Sequence, residues 1–268
     1  MKKTVRVLLI LLFAAVFLFS GWQLLKTLNT YREGREAYDA LERHVSPGAA
    51  SQAETPAGPP EELELEVSAK RERPDLSGWP QVDFEALSEI NPDIVGWICI
   101  EGTNINYPVV QGTDNDYYLT HLFDGTDNSS GCIFLDYRCS ADFSDWHSIV
   151  YGHHRKDNRM FSGLMAYKEQ EFYDEHPTVL LVTPAAYYRI QLFSGYVTDD
   201  SVNAWELSRE DLDVAAWLRE LQARSCFASD HLPEETDRIV TLSTCTYEFA
   251  NAKFLVHGYI AETIQIAE

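Results

Sequence analysis

Eight short apolar segments, each closed by turn residues, occupy residues 94–100, 105–111, 131–137, 148–151, 179–183, 187–198, 238–245 and 253–264. Each is strand-like in length and pattern, and segments at this spacing predict a closed barrel or a sandwich rather than alternating βαβ units. Helical stretches interrupt the series. Residues 83–90 carry Phe84, Leu87 and Ile90 at helical spacing and stop before Asn91-Pro92. A second helix is predicted over residues 160–173. A third is announced by Ser208-Arg209-Glu210-Asp211, with Val214, Trp217, Leu218 and Leu221 as its apolar stripe up to about Ala223.

The N-terminal part is of another kind. After the basic start Met1-Lys2-Lys3-Thr4-Val5-Arg6, residues 7–25 are apolar except for Ser20, Gly21 and Gln23. That length suits a bilayer, and the positive flank predicts a cytoplasmic N-terminus with everything after Lys26 outside. A cleaved signal peptide is the competing reading, but no clear small-x-small site follows and the apolar run is longer than usual for one. Residues 26–45 read as a polar helix continuing off the membrane. Residues 46–60 are Pro, Gly, Ala and Ser-rich, the composition of a flexible stalk. The expected organisation is therefore an anchor at 1–25, an extracellular helix and stalk at 26–78, and one folded domain at 79–268.

Acidic residues outnumber basic ones by 42 to 21, and residues 1–79 hold only 11 of the acids against 10 of the bases. The excess negative charge thus belongs to the domain, which argues against a nucleic-acid partner because counterion release needs clustered Lys and Arg. Five cysteines (Cys99, Cys132, Cys139, Cys226 and Cys245) leave at least one thiol unpaired, and none has the CxxC spacing of a zinc or redox site. Cys99 and Cys132 lie in apolar runs and read as core residues; the pattern does not decide the state of Cys139 or Cys226.

Cys245 ends the apolar run Arg238-Ile239-Val240-Thr241-Leu242-Ser243-Thr244. A thiol delivered to a strand end is held rigidly and stays open to an incoming carbonyl, as a nucleophile requires. The alternative is a small buried hydrophobe. A cysteine nucleophile needs an imidazole partner, and His153 and His154 follow the strand-like Ser148-Ile149-Val150-Tyr151 through Gly152, which brings a ring to a similar place. The other histidines read as surface groups or, for His147 and His257, as side chains bonded within the sheet. Lys253 opens the last segment eight residues after Cys245. A hairpin would return it to the same rim as a cation for a developing oxyanion; otherwise it is a solvated edge lysine.

Thr241-Leu242-Ser243-Thr244-Cys245 with Tyr247, and Tyr151-Gly152-His153 followed by Met160-Phe161, resemble the signature blocks of the sortases, cysteine transpeptidases of Gram-positive cell surfaces. The resemblance is nearest to class B and runs from Ile94-Val95-Gly96-Trp97-Ile98 through Asp114-Asn115-Asp116-Tyr117-Tyr118-Leu119 to Val256-His257-Gly258. It implies a mainly β fold with helices, an eight-stranded sortase-type barrel, with Cys245 as nucleophile and His153 as proton donor and acceptor. Asn115, Leu119, Tyr151 and Ser243 match positions that line the sorting-signal groove in that class, and Thr244 is grouped with them as a candidate substrate contact. Lys253 stands where the family has arginine, and His154 where class B members often have asparagine. The implied partners are surface proteins bearing a C-terminal sorting signal of Asn-Pro-x-Thr or Pro-x-Thr-Gly type, an amine of a cell-wall precursor or pilin, and the membrane, with no cofactor or metal. The pocket that selects the signal is expected near residues 199–207. An extracellular cysteine peptidase, with water as acceptor, and a catalytically weak sortase-like binding module remain as alternatives.

Overall fold

The computed structural model describes residues 2–46, 76, 78–199 and 201–266. Eight strands close into a barrel: β1 (Ile94–Cys99), β2 (Asn106–Val110), β3 (Ile133–Leu135), β4 (His147–Tyr151), β5 (Thr178–Val182), β6 (Ala186–Thr198), β7 (Ile239–Cys245) and β8 (Lys253–Gln265). Their order around the barrel is β8, β6, β5, β1, β2, β3, β4, β7, with β7 returning to β8. Two neighbours are parallel, β2 with β3 and β4 with β7; the other pairs are antiparallel. Each predicted segment thus overlaps one barrel strand, and closure leaves no long unpaired edge.

The barrel interior is filled by residues such as Ile98, Val109, Ile133, Val150, Leu242, Phe254 and Val256. Period-two alternation turns Ile239, Thr241, Ser243 and Cys245 to the outer face of β7. A second apolar layer covers the start of that face, where Val214, Trp217, Leu218 and Leu221 of α4 (Val214–Ala223) pack on Phe193, Tyr196, Ile239 and Leu255. The end of the face is open.

The helices differ from their sequence expectations in instructive ways. Residues 84–90 form α2 (Phe84–Ile90), capped by the Asp83 carboxylate accepting from Ala86 N–H at 3.0 Å. Residues 160–173 are not one helix but a 3₁₀ run over Phe161–Lys168 followed, after an extended Glu169, by α3 (Gln170–Glu175). Phe161, Leu164 and Tyr167 explain the tighter winding: spaced by three and all buried, they share one face only at three residues per turn. Helix α4 starts at Val214 rather than Ser208, because Asp211 has a left-handed backbone (φ 62°) and Asp213, not Ser208, accepts from the helix at Ala216 N–H. Ser208 instead closes a turn on Glu210 N–H.

One helix, α1 (Lys2–Leu41), runs unbroken from the basic start, and its apolar part is exposed throughout. It is long and apolar enough to cross a membrane. Its last turns behave differently: Tyr38 and Leu41 are buried in the main core cluster. The expected stalk at 46–60 lies outside the described residues apart from Ser46, which pairs with Gln81.

Candidate active site

Strand register assembles the site. β7 and β8 are antiparallel with Cys245 opposite Lys253, and Thr246 N–H donates to the Ala252 carbonyl (2.9 Å) to close the connecting loop. On its other side β7 runs parallel to β4, pairing Ser243 with Tyr151, and Gly152 N–H continues the ladder onto the Ser243 carbonyl (3.1 Å). Two residues beyond a parallel pair, His153 comes level with Cys245. Gly152 must lack a side chain here, since a Cβ would run into Ile133 and Phe161. A groove of about 440 Å³ is lined by Asn115, Asp116, Leu119, Phe134, Tyr151, Gly152, His153, Ser243, Thr244, Cys245 and Lys253.

All eight residues singled out in the sequence therefore border one groove, though in unequal ways. Cys245 is exposed, whereas Ser243 is buried beside it. Thr244 faces inward between them, 3% exposed, and its hydroxyl is buried with no hydrogen-bond partner. The imidazole of His153 is oriented by donation from Nε2–H to the Leu119 carbonyl at 2.7 Å. A carbonyl can only accept, so Nε2 carries the proton and Nδ1 is the basic nitrogen of the neutral ring. Lys253 is half-buried and its Nζ sits 5.0 Å from the ring centre of Trp205.

Asn115 and Tyr151 meet on a residue that sequence reasoning missed. The Asp136 carboxylate, fully buried at the end of β3, accepts from Asn115 Nδ2 (3.0 Å), the Tyr151 hydroxyl (3.1 Å) and the Arg138 guanidinium (2.8 and 2.9 Å). Burial opposes its ionisation, but the Arg138 and Asn115 donors outweigh that and hold its pKa below the usual carboxylate value. Burial and the Asp136 charge push the Tyr151 phenol well up, so it stays a donor. The available signal was a lone acid in the apolar run Gly131-Cys132-Ile133-Phe134-Leu135, followed two residues later by arginine.

His154 does not line the groove but braces it. Its Nδ1–H donates to the Cys245 carbonyl (3.0 Å), its ring lies 5.0 Å from that of Tyr247, and the Tyr247 hydroxyl donates to the His154 carbonyl (3.0 Å). This clasp fixes the loop after the thiol to the loop after His153. Across the groove, residues 203–207 are tied down by ring N–H donors: Trp217 to Asn203 (2.6 Å), His147 to Glu206 (2.7 Å) and Trp146 to Leu207 (2.6 Å). Trp205 is thereby held over Lys253.

The other four cysteines are unpaired thiols. Cys132 is buried, with its pKa pushed up to about 12 by burial, and Cys139 is buried likewise, at about 11. Cys99 is half-buried, and burial pushes it to about 11.

No family model matches the chain. Individual relatives do. It is 33% identical over 246 residues to sortase B of Staphylococcus aureus, covering 91% of each chain. It is 30% identical over 253 residues to sortase B of Listeria monocytogenes, covering 93% of this chain and 94% of that one. A solved Staphylococcus aureus sortase B–substrate complex superposes with a TM-score of 0.63 at 36% identity, over 69% of this chain and 85% of the other. Near full-length identity at this level, on the same closed barrel, means that the chain belongs to the class B sortases, a family of cysteine transpeptidases.

Proposed function

We propose that this sortase is a membrane-anchored transpeptidase that joins surface proteins to an amine at the cell surface, using Cys245, His153 and Lys253. The observation that carries the reading is the double register at the end of β7, which sets Lys253 opposite Cys245 and brings His153 level with it from β4.

In the proposed reaction His153 Nδ1 takes the proton of the Cys245 thiol, and the thiolate attacks the carbonyl carbon of a threonine in a C-terminal sorting signal. Lys253 stabilises the negative charge that develops on the carbonyl oxygen. The tetrahedral adduct collapses as the peptide C–N bond breaks, and His153 passes the Nδ1 proton to the departing amine. A thioacyl-enzyme remains. An amine from a cell-wall precursor or pilin lysine then attacks it, His153 takes up the amine's proton, and the thiolate is released as the new amide forms. Asn115, Leu119, Tyr151 and Ser243 form the wall against which the signal lies, with Asp136 fixing the first and third of these. The apolar part of α1 holds the enzyme in the membrane as a single-pass protein, N-terminus inside and barrel outside, where both substrates are presented.

Residues 26–268 incubated with a small library of sorting peptides and an amine, read by mass spectrometry, test this. Expected are a thioacyl adduct on Cys245 and an amide product that depends on the amine. Cleavage with water alone, at a rate and yield indifferent to amine, would overturn transfer in favour of proteolysis.

A further inference from the structure

The part of α1 beyond the apolar run is built into the surroundings of His153. Tyr38 is 4% exposed; its hydroxyl donates to the Gly131 carbonyl at 2.5 Å and lies 3.1 Å from Cys132 Sγ, and its ring stands edge-on to Tyr107. Gly131 has a left-handed backbone (φ 59°), and a Cβ there would come within 2.9 Å of His153 Cδ2 and of the Leu119 carbonyl. The Gly131 backbone is therefore the surface on which the imidazole edge rests. Leu119, beside it, supplies the carbonyl that orients Nε2.

The helix also grips both flanks of that contact. Upstream, Asn128 Nδ2 donates to the Thr30 carbonyl (3.1 Å), and Gly34 lets the helix approach Ser130 where a Cβ would collide with the hydroxyl. Downstream, the Arg155 guanidinium, two residues after His153, lies 4.3 Å from the Tyr31 ring, donates to Ser130 Oγ and pairs with Asp157. Arg159 pairs with Asp39 at 2.6 Å.

We propose that residues 30–41 of α1 are a positioning element for His153, with Tyr38 setting the Gly131 backbone against which the imidazole rests. The proposal rests on the reading of His153 as the acid–base group. Its physical basis is leverage: the strap through Leu119 and Gly131 is loop, so a lost anchor is answered by a shift, and a misplacement of about 1 Å at a reacting group costs on the order of 10²-fold in rate. Phenylalanine would fill the Tyr38 site equally well, so the hydroxyl is the part that acts.

The full chain in detergent, as parent, Tyr38→Phe, Gly34→Ala and His153→Gln, tests this by kcat, KM for a sorting peptide and the pH profile of kcat, all per folded molecule. Tyr38→Phe is expected to lower kcat about 10-fold with KM within about twofold, and to displace the pH profile. A folded Tyr38→Phe enzyme with parental kcat and profile overturns the positioning role. Should Tyr38→Phe not fold, Gly34→Ala decides on the same readouts, since its added methyl displaces Ser130 while leaving Tyr38 in place. An inactive His153→Gln beside a parental Tyr38→Phe rejects positioning alone; a fully active His153→Gln overturns positioning and the acid–base reading together.

Discussion

One sheet face carries two polar clusters made from the same three strands, and they have opposite characters. At the open end, β4, β7 and β8 present His153, Cys245 and Lys253 to a groove. About 13 Å back along the strands, the same face presents His147, Thr241 and His257, all fully buried under α4 and residues 203–207. There the bonds run in one direction: His147 Nδ1–H donates to the Glu206 carbonyl (2.7 Å), Thr241 donates to His147 Nε2 (2.7 Å), and His257 Nδ1–H donates to Thr241 (2.7 Å). The Tyr196 hydroxyl then donates to His257 Nε2 at 3.3 Å. Both rings are neutral in this scheme, and burial depresses both pKa values, that of His147 to about 4. The two ends teach that residue type does not decide what a histidine is exposed to. Cover does: where α4 closes the face, imidazoles become mortar, and where the cover stops, the same register opens onto a groove.

Cys245→Ala probes the open end most severely. Cleavage and transfer are expected to fall by more than about 10³-fold with the far-UV spectrum unchanged, because the substitution removes the proposed nucleophile and little volume. Retained turnover would end the comparison. Lys253→Ala comes next, with an expected loss on the order of 10²-fold in kcat. Lys253→Arg is expected to hold or raise the rate, since guanidinium stays charged and can engage two acceptors. Steady-state kinetics on the three proteins decide whether the cation belongs to the reaction.

The closed end is tested by Thr241→Val. Removing the hydroxyl leaves His147 Nε2 and His257 Nδ1 without their shared partner, an expected cost of about 2–3 kcal/mol in stability by denaturant titration. Activity per folded molecule should be kept. Titration gives the smallest effect. The unfolded chain protonates His147 below about pH 6.5, whereas the folded chain resists until about 4. The unfolded state therefore binds more protons in that window; stability is level above it and declines as pH falls through it, by about 2 kcal/mol at pH 5 from His147, with His257 acting in the same direction. Thermal midpoints across pH 4–8 for parent and His147→Asn should show the decline shrink in the variant.

What could be read from the chain beforehand follows the range of the interactions involved. The strands, the strand-end positions of Cys245 and His153, and the hairpin that returns Lys253 depend on local patterning and a short connection, and they were legible; the parallel pairing that sets His153 level with Cys245 joins distant segments and was not. The Asp136 hub was not, because its partners come from residues 115, 138 and 151 and only closure of the barrel brings them together. The start of α4 was misplaced because Ser208 and Asp213 look alike as caps, and only the left-handed Asp211 distinguishes them. The docking of α1 was invisible for a related reason: Tyr31, Gly34, Tyr38 and Asp39 are the residues of a solvated helix until the barrel supplies Arg155, Ser130, Gly131 and Arg159.

The unbroken course of α1 from Lys2 to Leu41 has a mechanical consequence for an enzyme anchored as proposed. A helix rises about 1.5 Å and turns about 100° per residue, so Tyr38, thirteen residues past Leu25, sits roughly 20 Å along the shaft from the end of the apolar run. Height and heading are then linked. One residue inserted between Leu25 and Thr30 would lift the barrel only slightly but swing its groove through more than a quarter of a turn. Anchored as proposed, the enzyme would stand on a mast rather than a tether, its groove searching for partners at one elevation, in two dimensions instead of three.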